Sequence, residues 1–161
     1  MKLRKLELKD APYMLEWMHD DFVVHDLRTN FAAKTIEDCN SFIVSAQDES
    51  ESIHLAIVDD HDEYMGTVSL KHIRENKAEF GITVRRCAMG KGFSQFGMES
   101  IVDYGYENRH IDYVYWCVDP NNKRAVRFYD KNEYKRCNAP ECVEDYTEDE
   151  RKRYVWYCIE R

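Results

Sequence analysis

Two glycines one residue apart stand in Met89-Gly90-Lys91-Gly92-Phe93-Ser94, between an apolar run (Ala78 to Val84) and a segment of helical periodicity. Glycine permits a tight turn and lets a ligand approach the main chain closely. The first turn of the following helix offers N–H groups without intrahelical acceptors, and the helix dipole adds positive potential, so a pyrophosphate could be cradled there. Lys91 can meet a phosphate as a point charge. An ordinary turn joining strand to helix would use the same spacing. The dinucleotide fingerprint fails, because its third glycine would fall on Gln95. The phosphate loop of nucleotidases fails too, because no Gly-Lys-Ser/Thr closes the segment.

A second constellation runs from Val118-Asp119-Pro120-Asn121-Asn122 to Lys131. Asn122 stands at a helix start, and Tyr129 lies seven residues on, two turns along the same face. The asparagine could cap the helix and present its amide to a ligand. The tyrosine could donate its phenolic proton to a leaving group. Both could equally be structural, one a cap and the other a core residue.

The elements that must position these groups follow from periodicity. Lys2 to Leu8 alternates and reads as a strand. Asp10 with Pro12 opens a helix whose apolar face carries Tyr13, Met14, Trp17 and Met18. Thr35 with Asp38 resembles a capping box and opens a second helix to about Gln47. Ile53 to Val58, Tyr64 to Ile73 and Ala78 to Val84 are strands with short polar breaks, which predicts antiparallel pairing. A helix starts near Gly90. Tyr113 to Val118 is unbroken apolar and aromatic sequence and reads as a central strand. A helix to about Lys131 and strands at Tyr134 to Cys137 and Tyr154 to Ile159 complete the chain. The stretch Glu141 to Glu150 is acidic and reads as a solvated loop. The order β-α-α-β-β-β-α-β-α-β-β predicts an α/β fold with a mixed, mostly antiparallel sheet. All six glycines lie between Gly66 and Gly105, so whatever needs glycine is in the middle third.

Composition bounds the function. The chain has 161 residues, 23 basic and 31 acidic, for a formal net charge of −8. That length predicts a single domain over residues 1–161. The acidic balance argues against nucleic acid and anionic membranes as partners and suits an amine-bearing one. The longest apolar run, Tyr113 to Val118, falls well short of the roughly 20 residues of a membrane span. The N-terminus lacks the apolar core of a signal peptide, so a soluble, cytoplasmic protein is the expectation. The six cysteines form no Cys-x-x-Cys pair and read as reduced thiols. No metal is expected, because no paired Cys/His spacing or His-Glu-x-x-His is present.

Together the two constellations resemble the GNAT superfamily of acetyl-CoA-dependent N-acetyltransferases, over about residues 2 to 160. The family's phosphate motif, Gln/Arg-x-x-Gly-x-Gly/Ala, falls on Met89 to Ser94. Its later pattern, Asn-x-x-Ala-x-x-x-Tyr-x-Lys-x-Gly-Phe, falls on Asn122, Ala125, Tyr129 and Lys131 and ends at Glu133-Tyr134. Leu15 to Asp20, Tyr64 to Leu70 and Ala78 to Gly81 look like the ribosomal-protein N-acetyltransferase branch, which also holds enzymes acting on amino sugars and polyamines. Met89 departs from Gln or Arg and Ser94 from Gly or Ala, and Glu133 stands where a glycine usually ends the helix.

The resemblance implies acetyl-CoA as cosubstrate, with its pantetheine arm along Ile82, Thr83 and Val84 and its pyrophosphate at Met89, Gly90, Lys91, Gly92, Phe93 and Ser94, beside Asn122. It implies Tyr129 as general acid. Glu79 matches a position that serves as base in some members, and an ion-paired strand residue is the equal alternative. Cys117 stands where some members carry a catalytic glutamate, though a buried small side chain is the better reading. Trp17, Asp20, Asp21 and Phe22 follow the first helix, where the family builds its acceptor pocket; an exposed turn is the alternative. The implied reaction is direct transfer of acetyl to a primary amine on a protein N-terminus, an amino sugar or a polyamine. The alternative is a non-catalytic acyl-CoA-binding module on the same fold. A homodimer is compatible with the resemblance.

Overall fold

The computed structural model describes every residue except Glu144. Among the described residues seven strands form one sheet: β1 (Lys2–Lys5), β2 (Ile53–Val58), β3 (Tyr64–Arg74), β4 (Lys77–Val84), β5 (Tyr113–Val118), β6 (Lys135–Cys137) and β7 (Val155–Glu160). Their spatial order is β1-β2-β3-β4-β5-β7-β6. Every neighbouring pair is antiparallel except β4 and β5, which are parallel. The α/β fold with a mixed, mostly antiparallel sheet is therefore as expected. Among the described residues six α-helices accompany it: α1 (Ala11–Met18), α2 (Asp21–Val24), α3 (Ile36–Ser45), α4 (Phe93–Arg109), α5 (Lys123–Lys131) and α6 (Glu148–Arg153). None is long and apolar enough to cross a membrane.

Alternation along the strands sorts the side chains into two layers. Ile53, Leu55 and Ile57 of β2, Val68 and Leu70 of β3, and Ala78 and Phe80 of β4 bury against α4 and α5. Ala56 and Val58 point the other way, onto Met14, Trp17, Cys39 and Ile43 of α1 and α3. The helix α4 lies close against the sheet because Gly97 has no side chain. A β-carbon there would stand 2.5 Å from Ile57 Cδ1. This contact fixes the height of the whole helix, and so of the loop that feeds it.

Three boundaries differ from expectation. The first strand ends at Lys5, and Leu8–Asp10 forms one 3₁₀ turn. The Asp10 carboxylate is 1% exposed; it accepts hydrogen bonds from Arg4 Nη1 and Nη2 at 2.7 and 2.8 Å and from Glu7 N at 2.9 Å. The pull bends the chain out of the sheet, so Asp10 closes this turn instead of capping α1. Asp20 supplies an unforeseen cap, accepting from Phe22 N at 3.0 Å to start the short α2. The expected loop Glu141 to Glu150 is corrected at its end, where Thr147 and Glu150 form a capping box and open α6. Acid in its first turn (Glu148, Asp149, Glu150) and base in its last (Arg151, Lys152, Arg153) both favour the helix dipole.

Glu133 takes the left-handed conformation (φ 59°) just past α5. Tyr134 N donates to Tyr129 O at 3.1 Å and Glu133 N to Asp130 O at 3.1 Å, which closes the helix as a Schellman motif. The Tyr134 and Tyr129 rings, 5.8 Å apart, make its apolar contact. A side chain in this conformation costs roughly 1–2 kcal/mol, against under about 1 kcal/mol for the extra unfolded-state freedom of glycine. Glu133→Gly is therefore expected to raise the Tm by about 2–4 °C, a net gain near 1 kcal/mol, in a calorimetric or circular-dichroism melt.

Candidate active site

The β4–β5 ladder holds over three pairs only, Lys77 with Tyr113, Ala78 with Val114 and Glu79 with Tyr115. Beyond Glu79 the strands part. β4 continues beside β3 to Val84, and β5 continues beside β7 to Val118. The main chain of Phe80 to Val84 therefore has no strand on its β5 side. Between the parted strands lies a cleft of about 660 Å³, within the range of small-molecule sites.

The phosphate-loop candidate closes one end of this cleft. Gly90 and Gly92 have φ of 74° and 85°, the left-handed region that glycine alone enters at little cost. Gly92 is the N-cap of α4 and makes no side-chain cap bond, so the first-turn N–H groups have no intrahelical acceptor. Gly90 and Ser94 line the cleft. Met89 does as well, and the guanidinium of Arg124 reaches its sulfur at 3.2 Å. A cation from α5 thus stands beside the position where the family's polar side chain is missing.

The helix α5 forms the facing wall. Asn122 Oδ1 accepts from Ala125 N at 3.1 Å and caps the helix, while the residue lines the cleft. Tyr129 also lines it and is 6% exposed. It packs among Trp116, Tyr134, Tyr157 and Phe128, with ring centroids 5.1 to 5.8 Å away. Burial pushes its phenol well above the ordinary tyrosine range, so it stays protonated.

Glu79 stands where the strands part, 6% exposed. Tyr146 Oη donates to its Oε1 at 2.8 Å, and Lys71 Nζ and His72 Nε2 each lie 3.5 Å from a carboxylate oxygen. Consecutive residues of a regular strand point to opposite faces. Here the β3–β4 register shifts between Lys71 and Arg74, and His72 has φ 52°, so both side chains reach the same carboxylate. Arg28 closes the site from above. Its guanidinium donates to Asp145 O at 2.6 Å and to Glu150, and stacks 4.4 Å over the Tyr146 ring. Burial also lifts the nearby Cys117 thiol to about 11, away from the thiolate a nucleophile would need.

The family model described as the acetyltransferase (GNAT) domain matches residues 1–135. An uncharacterized N-acetyltransferase p20 from Bacillus licheniformis is 30% identical over 135 residues, 79% of this chain and 74% of that one. The chain belongs to the GNAT acetyltransferase family. Among solved structures, the spermidine N-acetyltransferase of Vibrio cholerae in complex with CoA and spermine aligns at a TM-score of 0.78 and 18% identity, over 99% of this chain and 94% of that one. A GNAT-family acetyltransferase from Bacillus anthracis aligns at 0.75 and 18%, over 98% and 93%. A Vibrio cholerae protein assigned as a ribosomal-protein-serine acetyltransferase aligns at 0.76 and 13%, over 99% and 92%. At these identities the solved structures speak for the fold. The family uses acetyl-CoA, and the unpaired β4 edge, the left-handed glycines and the first turn of α4 fit that cosubstrate.

Within this acetyltransferase, Glu79, Ile82, Thr83, Val84, Met89, Gly90, Ser94, Asn122 and Tyr129 share the cleft. Lys91 is exposed at the loop, Gly92 supplies its turn, and the Phe93 side chain is buried in the main core. The four residues expected around the acceptor stand elsewhere. Trp17 is buried, donating from Nε1 to Tyr64 Oη at 3.0 Å, and it backs Phe31, a cleft residue. Asp20 caps α2, and Asp21 is the first residue of that helix. Phe22 lies beneath Arg86 and Arg124, near the Gly90–Gly92 loop. The wall beside Glu79 comes from residues slightly further on, His25, Asp26, Arg28 and Phe31, and from Tyr146. Sequence reasoning missed these, together with Lys71 and Arg124. The capping box after Tyr146 was the available signal for its segment.

Beneath this face His54 meets Ser69 Oγ at 2.7 Å. Burial first, and the Lys71 charge second, lower its pKa from 6.5 to about 4. The unfolded chain therefore binds a proton in a window where the folded chain does not. The contribution is fully present above pH 6.5 and is lost as pH falls toward 4. With a discount for residual exposure, the loss is about 2 kcal/mol. His54→Gln should flatten the fall in Tm across that window relative to wild type, as read from melts at matched ionic strength.

Proposed function

We propose that this acetyltransferase moves the acetyl group of acetyl-CoA directly onto a primary amine entering at the Glu79 end of the cleft. One observation carries the reading: the β4 edge is left unpaired between a loop of left-handed glycines leading into α4 at one end and a buried carboxylate at the other. Main-chain groups of Ile82 and Val84 hold the extended arm of the cosubstrate as a missing strand would, with Thr83 between them paired to Thr67 of β3. Met89 to Ser94 hold its pyrophosphate through N–H groups, with Lys91 and Arg124 adding charge and Asn122 its amide. A β4 N–H polarises the thioester carbonyl and stabilises the oxyanion as the amine attacks.

Glu79 receives the proton that an alkylamine must lose before attack. Tyr146 orients it, Lys71 compensates its charge, and the His72 ring lies beside it. Tyr129 donates to the departing sulfur. Its phenol, raised above the ordinary value of about 10, is a weaker acid than a thiol near about 8.5. Its main contribution is therefore a hydrogen bond to the developing thiolate, with protonation following. Asp26 and Glu79 bring carboxylates to the acceptor end, beside the cations Arg28 and Lys71. Phe31, backed by Trp17, supplies an apolar surface there, while Asp20, Asp21 and Phe22 set the course of the chain between the two ends. A protein N-terminal amine, an amino sugar and a polyamine are the acceptor classes to screen; polyamine is tried first, because a solved neighbour of this fold holds spermine.

Acetyl-CoA at about 100 times its dissociation constant should add roughly 2.7 kcal/mol of stability. At this size that raises the Tm by about 5–10 °C, more than adenosine diphosphate does. Absence of a shift would remove the cofactor assignment. Tyr129→Phe should lower kcat about 100-fold and leave acetyl-CoA affinity nearly unchanged, and Glu79→Gln should lower kcat by a similar factor. Thiol release measured against an amine panel decides both. Binding without amine-dependent release would make the protein a binding module.

A further inference from the structure

Among the described residues that line the cleft, Lys71 is the one lysine. Its side chain lies across β4. Cε is 3.3 Å and Nζ 3.7 Å from the point where a β-carbon on Gly81 would stand. Gly81 is two residues beyond Glu79, the last β4 residue of the ladder to β5, so the amine hangs over the first stretch of free edge. Its charge is felt on both sides, by His54 of β2 and by Cys117 of β5. A carboxylate oxygen of Glu79 lies 3.5 Å from Nζ. An amine beside a proton acceptor, at the parting of the strands, is in the place assigned above to the external acceptor.

We infer that Lys71 is an internal acetyl acceptor and that the enzyme acetylates itself there. The inference rests on the reading that the cleft takes acetyl-CoA. Nζ gives one proton to Glu79 and its lone pair forms the bond to the thioester carbonyl carbon. The carbon–sulfur bond breaks, the electron pair leaves on sulfur, and Tyr129 supplies the proton that makes free CoA. The second Nζ proton is lost to solvent as the amide forms, and the proton on Glu79 returns Tyr129 to its starting state through water. The products are N-acetyl-Lys71 and CoA. Acetylation removes the Lys71 charge and its pairing with Glu79 and leaves an amide in the acceptor end. The modified enzyme is therefore inhibited, and an external amine, by competing for the acetyl group, protects it.

The test is to incubate the protein with acetyl-CoA and no amine, follow the intact mass, and map the label by peptide digestion. A melt with acetyl-CoA runs alongside. One acetyl group on Lys71 is expected, at a rate per molecule independent of protein concentration and suppressed by excess CoA. Activity toward an amine should fall on the same time course, and Lys71→Arg should abolish that decay. Stabilisation by acetyl-CoA with Lys71 unmodified would overturn this inference and leave the cofactor reading standing. So would labelling spread equally over exposed lysines such as Lys91 and Lys123, or a rate that rises with protein concentration. Neither stabilisation nor label would overturn both.

Discussion

A parallel ladder that stops after three pairs is the constraint on which the rest of the molecule depends. It divides the sheet into β1 to β4 on one side and β5, β7 and β6 on the other, joined from Lys77 to Glu79. Main-chain polar groups seldom remain unpaired inside a fold, so the free edge of β4 demands a partner. The surroundings are fitted to such a guest. The Gly97 contact sets α4, and thereby its free N–H groups, at a fixed height over the sheet. The turn at Asp119 to Asn122 swings α5 across as the facing wall, with Asn121 N donating to Asp119 Oδ1 at 2.9 Å to hold it. The aromatic group around Tyr129 and Trp116 keeps the floor dry.

The Glu79 end of the cleft is held by contacts between distant parts of the chain. Tyr146 meets Glu79 across 67 residues, and Arg28 meets Asp145 across 117. Neither the 25–31 segment nor the 145–150 segment has a large core of its own, so each is placed by the other. Charges of both signs converge here: Asp26 and Glu79 against Arg28 and Lys71. The net charge of −8 says little about such a site, because the local arrangement and the loss of solvent screening decide what it attracts.

These distances also explain what was legible in the sequence. The Gly90–Gly92 loop and the Asn122 cap express local backbone needs, and they stand out as residue types at fixed spacing. The α/β order could be read from periodicity for the same reason. Lys71 and His72 were opaque, because the register shift that turns both toward Glu79 leaves no mark in composition. Tyr146 lay in a stretch whose acidity suggested solvent, although Thr147 and Glu150 carried the helix-start signature three residues apart. Asp10 was read as a local cap and turned out to bond Arg4 and the Glu7 backbone instead. At Met89 the sequence shows only a missing polar side chain; the fold brings Arg124 beside it.

The free edge of β4 has a consequence for genetic experiments. What it offers a ligand are amide hydrogens and carbonyl oxygens, and every residue except proline carries both. Ile82 and Val84 turn their side chains into the core, so replacing them would register as lost packing. Thr83 faces the opposite layer, where many side chains would be tolerated. An alanine scan of this strand would therefore report packing and say nothing of the main-chain role proposed for it. Arg85 N donates to Met65 O, and the direction of the main-chain groups alternates along the strand. Thr83 therefore bonds β3, while Phe80, Ile82 and Val84 present theirs to the gap. Proline at Thr83 would break the β3–β4 ladder, not the free edge.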